Sequence, residues 1–220
     1  MFIGLPALLA AWLVNRKESI YPLARWGAKT WLDACGAKVK VIGMDNVEPG
    51  VSYVFASNHR SYLDTATLFF YTGTRMGLVA KKELLKVPVL GQGMGFVNII
   101  AIDRTNPARA LDSMAKARSV LERGNSFGVF VEGTRAMPGE LLPFKKGAFH
   151  LAVQTDTPIV PVAIRNSDWM MGKRQGLAFA GTIEMVLLPP ISTKGKTEEH
   201  VMELLMETRA AIRAELEKET

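Results

Sequence analysis

Apolar and polar residues follow two rhythms along the chain. The opening stretch, MFIGLPALLAAWLV (1–14), carries no charge. Over 19–34, Ile20, Leu23, Gly27, Trp31 and Ala34 fall near helical spacing. Residues 1–34 therefore predict a helical pair or a bent helix, ended at Gly36. From Val39 the rhythm shortens. VSYVFAS (51–57), GLVA (77–80), VNIIAI (97–102), FGVFV (127–131), PIVPVAI (158–164) and TIEMVLL (182–188) have strand length and composition. Residues 107–123 predict a helix, with Asn106 as cap and Pro107 in the first turn. Leu111, Met114, Arg118 and Leu121 lie on one stripe of it, and Gly124 stops it. Residues 197–219 repeat Val201, Leu204, Leu205, Ile212 and Leu216 among charges, the mark of an amphipathic surface helix. Strands alternating with helices predict an α/β domain over 35–220. Its sheet is expected to be mixed, largely central and flanked by helices, behind an N-terminal helical segment over 1–34.

Composition sharpens the picture at the start of the chain. With 220 residues, 48% hydrophobic and 22% charged, the chain can bury a core without disulfides. Its single cysteine, Cys35, excludes an intrachain disulfide and a multi-cysteine metal site. Cys35 has no histidine beside it in sequence and is expected to be inert. The net charge of +6 suggests an anionic partner. Residues 1–40 carry +4 of it, and three of the four tryptophans (Trp12, Trp26, Trp31) fall in the first 31 residues. Trp and Lys/Arg favour a membrane interface. Residues 1–14 fall short of the roughly 18–20 apolar residues a span requires. Arg16 and Lys17 follow the apolar run, unlike a signal peptide. The expectation is a segment lying on or dipping into the bilayer surface.

Chemistry-bearing residues collect where strands end. VSYVFAS runs into Asn-His-Arg-Ser, VNIIAI into Asp103-Arg104, and FGVFV into Glu132-Gly133-Thr134-Arg135. Sites in α/β sheets form at the carboxyl ends of strands. His59 and Asp64 are five apart, a rotation of about 140° on a regular helix, so they meet only if His59 lies in a loop and the helix begins near Ser61. Ser61 and Asp64 also fit a capping box, which leaves open whether Asp64 caps a helix or orients the imidazole. A His–Asp pair can take a proton from an alcohol. Arg135, Lys145 and Arg104 supply cations suited to a phosphate, and Gly133 permits close backbone approach. Gly91, Gly93 and Gly95 do not form G-x-G-x-x-G, so a nucleotide-binding loop is not expected. His150 and His200 stand alone, no H-E-x-x-H or cysteine pair is present, and no metal site is expected. Absence of G-x-S-x-G counts against an α/β-hydrolase elbow.

Taken together, these motifs resemble the glycerolipid acyltransferases, above all the 1-acyl-sn-glycerol-3-phosphate acyltransferases. The blocks are NHRSYLD (58–64), GFVNIIAIDR (95–104), FVEGTRA (130–136) and IVPVAI (159–164), in that order, with LLPFKKGAFHLA (141–152) between the last two. Val131 and Ala136 replace the family's usual proline and serine. The resemblance implies the glycerolipid acyltransferase fold. It implies transfer of a fatty acyl group from acyl-CoA or acyl carrier protein to the hydroxyl of lysophosphatidic acid, forming phosphatidic acid. His59 would be the general base and Asp64 its orienting partner. Arg104, Glu132, Gly133, Thr134 and Arg135 match the acceptor-binding blocks, with Lys145 beside them. No cofactor is implied beyond the thioester co-substrate. The expected partners are a membrane lipid surface and these substrates, not nucleic acid, and the expected location is the cytoplasmic face of a membrane. Glycerol 3-phosphate, another lysophospholipid or an amino-acid-based lipid are alternative acceptors. A non-catalytic membrane- or nucleic-acid-binding module is the alternative of another class.

Overall fold

The computed structural model describes residues 21–81, 97–102 and 107–219. The opening segment, the glycine-rich loop at 91–95, the cap residue Asn106 and Arg104 lie outside the described residues. The chain runs α1 (Tyr21–Ala34), β1 (Ala37–Ile42), β2 (Val54–Ser57), α2 (Asp64–Tyr71), β3 (Met76–Lys81), β4 (Ile99–Ile102), α3 (Pro107–Glu122) and β5 (Ser126–Phe130). It continues through α4 (Gly147–Gln154), β6 (Ile159–Arg165), α5 (Ser167–Met171), β7 (Gly181–Leu187) and α6 (Val201–Leu216). All six expected strands form, within about three residues of their expected ends. The helix expected near Ser61 begins instead at Asp64, because Ser61 bonds away to Met171, as described below.

Seven strands form one sheet in the order β1-β7-β6-β2-β5-β3-β4. Every pair is parallel except β6 and β7, which are antiparallel. The central strands are apolar throughout because both faces are covered. Along β2, Phe55 joins the core on one face, while Val54 and Ala56 join the core on the other. Tyr21 and Leu32 of α1, Leu68 and Phe69 of α2, and Met170 of α5 fill the first face. Val120 of α3, Phe149 of α4, and Leu204 and Ile212 of α6 fill the second. Helix α1 ends at Ala34, and Gly36 then turns the chain at φ 66°. Helix α1 is nonetheless packed into the domain. The Tyr21 hydroxyl pairs with the backbone of Met76, and Arg25 donates to the Phe70 carbonyl at 2.9 Å. Burial pushes the Tyr21 hydroxyl pKa up to about 12, so it stays a neutral donor.

Candidate active site

Strands β2 and β5 lie side by side and parallel, with Ser57 opposite Phe130, so the residues that follow them emerge at one sheet edge. Asn58 leaves β2 and turns its amide sideways onto β6. It donates to the Ile164 carbonyl at 2.9 Å and accepts from the Ile164 amide at 2.7 Å. This two-bond clip fixes where the next residue, His59, starts. Ser61 then pins the outer part of the loop. Its hydroxyl donates to the Met171 carbonyl at 2.9 Å and accepts from the Leu63 amide at 3.1 Å.

Asp64, the first residue of α2, is fully buried. Its Oδ2 lies 2.9 Å from His59 Nδ1 and accepts the amides of Arg60 and Ser61, each at 2.7 Å. The bond from the Ser61 amide closes the turn that leads into α2. One oxygen thus ties the turn into α2 and contacts the imidazole, while the N-cap of α2 is Leu63. The His59 ring is stacked on Phe130, with centroids 4.0 Å apart and planes 18° from parallel. With Nδ1 facing a carboxylate, the proton of a neutral imidazole belongs on Nδ1. That leaves the Nε2 lone pair as the basic position.

Glu132 closes the site from below. It is 2% exposed, and its two oxygens accept the amides of His59 at 2.8 Å and Leu142 at 2.7 Å. Burial pushes its carboxyl above the ordinary value, against the opposing pull of those two amides. The residue expected to bind acceptor thus sits beneath the loop, joining the His59 segment to the 141–145 strand of chain. Gly133 follows at φ 72°, with room for a Cβ limited by Lys145 Cγ at 3.4 Å. Thr134 and Lys145 are exposed. Arg135 lies over the Tyr62 ring, its Cζ 3.4 Å from the centroid. Its Nη1 is buried without a hydrogen-bond partner among the described residues. Buried guanidinium nitrogens are seldom left so, and the group is set to receive an anion.

A cavity of about 400 Å³ opens beside these residues. Its lining includes Glu132, Gly133, Thr134 and Lys145 together with Val79, Ile100, Met114, Phe127 and Leu151. Phe130 lines it too, so the ring that supports His59 is also a wall of the cavity.

Residues 38–165 match the family model described as Acyltransferase. The chain belongs to the acyltransferase family. Among relatives, it is 40% identical to an uncharacterized acyltransferase of Schizosaccharomyces pombe, over 73% of this chain and 59% of that protein. It is 37% identical to the 1-acyl-sn-glycerol-3-phosphate acyltransferase alpha of Mus musculus, over 76% of this chain and 59% of that one. The Saccharomyces cerevisiae 1-acyl-sn-glycerol-3-phosphate acyltransferase is 36% identical over 79% and 58%. The matches thus span about three-fifths of the length of these relatives. The crystal structure of the 1-acyl-sn-glycerophosphate acyltransferase PlsC from Thermotoga maritima has the same fold. It gives a TM-score of 0.78 at 23% identity, covering 93% of this chain and 82% of that one.

In this member of the family, the structure brings together His59, Asp64, Glu132, Gly133 and Arg135, with Thr134 and Lys145 on the cavity lining. His150 and His200 lie elsewhere. His150 pairs with Glu198, and the His200 ring accepts from the Thr197 amide at 3.1 Å in a helix-capping turn. Reasoning from sequence passed over three residues of the site. Asn58 clips the loop to β6. Tyr62 carries Arg135. Arg60 is 4% exposed, donates through Nε to the Glu140 carbonyl at 3.0 Å and lies 3.7 Å from the Asp168 carboxylate. All three had a local signal, as neighbours of His59 within one block.

Proposed function

We propose that this acyltransferase moves a fatty acyl group from an acyl thioester, acyl-CoA or acyl-ACP, to the free hydroxyl of 1-acyl-sn-glycerol 3-phosphate, making phosphatidic acid. The observation that carries the reading is the 2.9 Å contact between His59 Nδ1 and the buried Asp64 carboxylate, beside an arginine with an unmet donor. Asp64 holds the proton on Nδ1. Nε2 takes the acceptor's hydroxyl proton as the oxygen attacks the thioester carbonyl. The tetrahedral intermediate collapses, the carbon–sulfur bond breaks, and the imidazolium returns its proton to the departing thiolate. No covalent acyl-enzyme is needed, and no metal or cofactor takes part in these steps.

Arg135 binds the acceptor phosphate, with Lys145 and Arg104 as further cations. The apolar cavity, whose volume suits a small-molecule site, receives the acyl chain. Glu132 and Gly133 shape the pocket from beneath instead of touching the acceptor. The names of the Mus musculus and Saccharomyces cerevisiae relatives support the choice of acceptor. Among the described residues no helix is long and apolar enough to cross a membrane. A site that takes a lipid acceptor is expected to work at the cytoplasmic face of a membrane, held at its surface.

The test is a transfer assay with one thioester and a panel of acceptors: lysophosphatidic acid, glycerol 3-phosphate, a lysophospholipid lacking a terminal phosphate and an amino-acid-based lipid. Lysophosphatidic acid is expected to show the highest kcat/KM, by about tenfold or more if the phosphate is held by a charged hydrogen bond. Equal turnover of the acceptor lacking a terminal phosphate overturns the phosphate assignment. No turnover of any acceptor overturns the reading.

A further inference from the structure

Between α5 and β7 the chain makes a loop, Gly172–Ala180, that leaves large apolar side chains in water. Leu177 is 73% exposed, Phe179 53%, and Trp169, on α5 just before the loop, 48%. The loop is tied in place. The Phe179 amide donates to the Met170 carbonyl at 2.8 Å, and the Gln175 side chain accepts the Gly172 amide at 2.6 Å. Such exposure on a tethered segment marks a contact surface. Lys173 and Arg174 stand in the same loop, and no Asp or Glu occurs from 169 to 183. Aromatic and aliphatic residues flanked by cations, without acids, match an anionic bilayer surface, where tails take the apolar groups and headgroups meet the charges.

Its position gives that match a purpose. The Met171 carbonyl, at the foot of the loop, accepts the Tyr62 amide at 3.1 Å and the Ser61 hydroxyl at 2.9 Å. Ser61 and Gly172 also form an isolated bridge. The loop is therefore hydrogen-bonded to the segment that carries His59. At its other end, the Gly181 amide donates to the Gly36 carbonyl at 3.1 Å, joining it to the end of α1. We propose that the Gly172–Ala180 loop inserts Leu177 and Phe179 into an anionic lipid surface, with Lys173 and Arg174 on its headgroups, and so seats the His59 loop at the interface. The inference rests on the reading above for its lipid acceptor, and it adds a lipid contact apart from residues 1–34.

The experiment uses the full chain with Cys35→Ser and a single new cysteine, Leu177→Cys, carrying a polarity-sensitive fluorophore. Met206→Cys, on α6 against the opposite face of the sheet, is the control. Vesicles are phosphatidylcholine alone or with about one-third phosphatidylglycerol. The expected result is a blue shift at position 177 with anionic vesicles, quenched by brominated acyl chains, and none at 206. Lys173→Gln with Arg174→Gln should weaken vesicle binding roughly tenfold or more at low salt, from a fewfold per cation at an anionic surface. A label at 177 that stays aqueous on vesicle-bound protein overturns the proposal. So does a chain that fails to bind anionic vesicles. Shielding of the label without vesicles assigns the patch to a second copy or another segment of the chain, and also overturns it. Transfer to a monodisperse short-chain lysophosphatidic acid is measured on the same protein. Transfer without lipid burial at 177 sinks this inference alone, whereas burial without transfer sinks the enzymatic reading.

Discussion

On the proposed reading, Arg135 and Tyr62 divide the work of binding through a single contact. The guanidinium lies over the ring, its Cζ 3.4 Å from the centroid, and one nitrogen has no partner among the described residues. A ring contact of this kind holds the arginine without using its donors, and on the proposed reading they serve the phosphate. Tyr62→Ala should therefore raise the KM for lysophosphatidic acid roughly 2- to 30-fold, the range of about 0.5–2 kcal/mol for a cation–π contact. The KM for the thioester and kcat should change little, and Tyr62→Phe should restore the acceptor KM. Steady-state kinetics of the three proteins with each substrate varied decides it. Equal loss in both substrates, or failure of Phe to rescue, removes Tyr62 from acceptor binding. Glu132 teaches the converse. Its position in FVEGTRA suggested a ligand for the acceptor, yet both oxygens are taken by backbone amides from two loops. A motif records that a residue type recurs at a place in a block, not which way it faces.

At the scale of elements, the strands were legible because buried parallel strands read as continuous apolar runs bounded by turns. Helices α3 and α6 were legible through caps and periodicity. Helix α5 escaped because five residues are too few for a period to appear. The reversed direction of β7 against β6 also escaped, since no local pattern encodes which strand lies beside which. That reversed strand is held by charges far apart in sequence. Glu184 on β7 accepts from Lys40 of β1 at 2.9 Å and also pairs with Arg165 of β6, which reaches Glu215 of α6 at 3.1 Å. The hydrogen bond from Lys40, then that from Arg165, holds the Glu184 carboxyl below its ordinary value. A lowered carboxyl contributes stability that is complete above the ordinary glutamate value and fades as pH falls through the lowered one. Glu184→Gln should thus cost up to about 1 kcal/mol near neutral pH, as for a partly exposed pair. The difference from the parent should vanish once pH drops below the lowered value. Denaturant titrations at several pH values measure it, and a gap that persists or widens in acid contradicts the assignment.

The molecule as a whole is an α/β sheet that brings two strand ends together and gives them a cavity. His59 with Asp64, and the Glu-Gly-Thr-Arg turn, were legible because each follows an apolar run directly. Their convergence needed the parallel pairing of β2 and β5, which puts Ser57 opposite Phe130. The cavity was not legible at all. Val79, Phe127 and Leu151 read in sequence like any core residues, and only packing leaves space between them. On the proposed reading, what the site adds to the fold is a base, held by one buried oxygen that also organises the start of α2. The most direct test compares transfer to lysophosphatidic acid by the parent and by His59→Ala at saturating substrates, with thermal midpoints measured alongside. The expected result is a loss of at least about 100-fold, the lower end of what a general base supplies, with the midpoint little changed. Transfer within about tenfold of the parent by a folded His59→Ala protein would contradict the central claim.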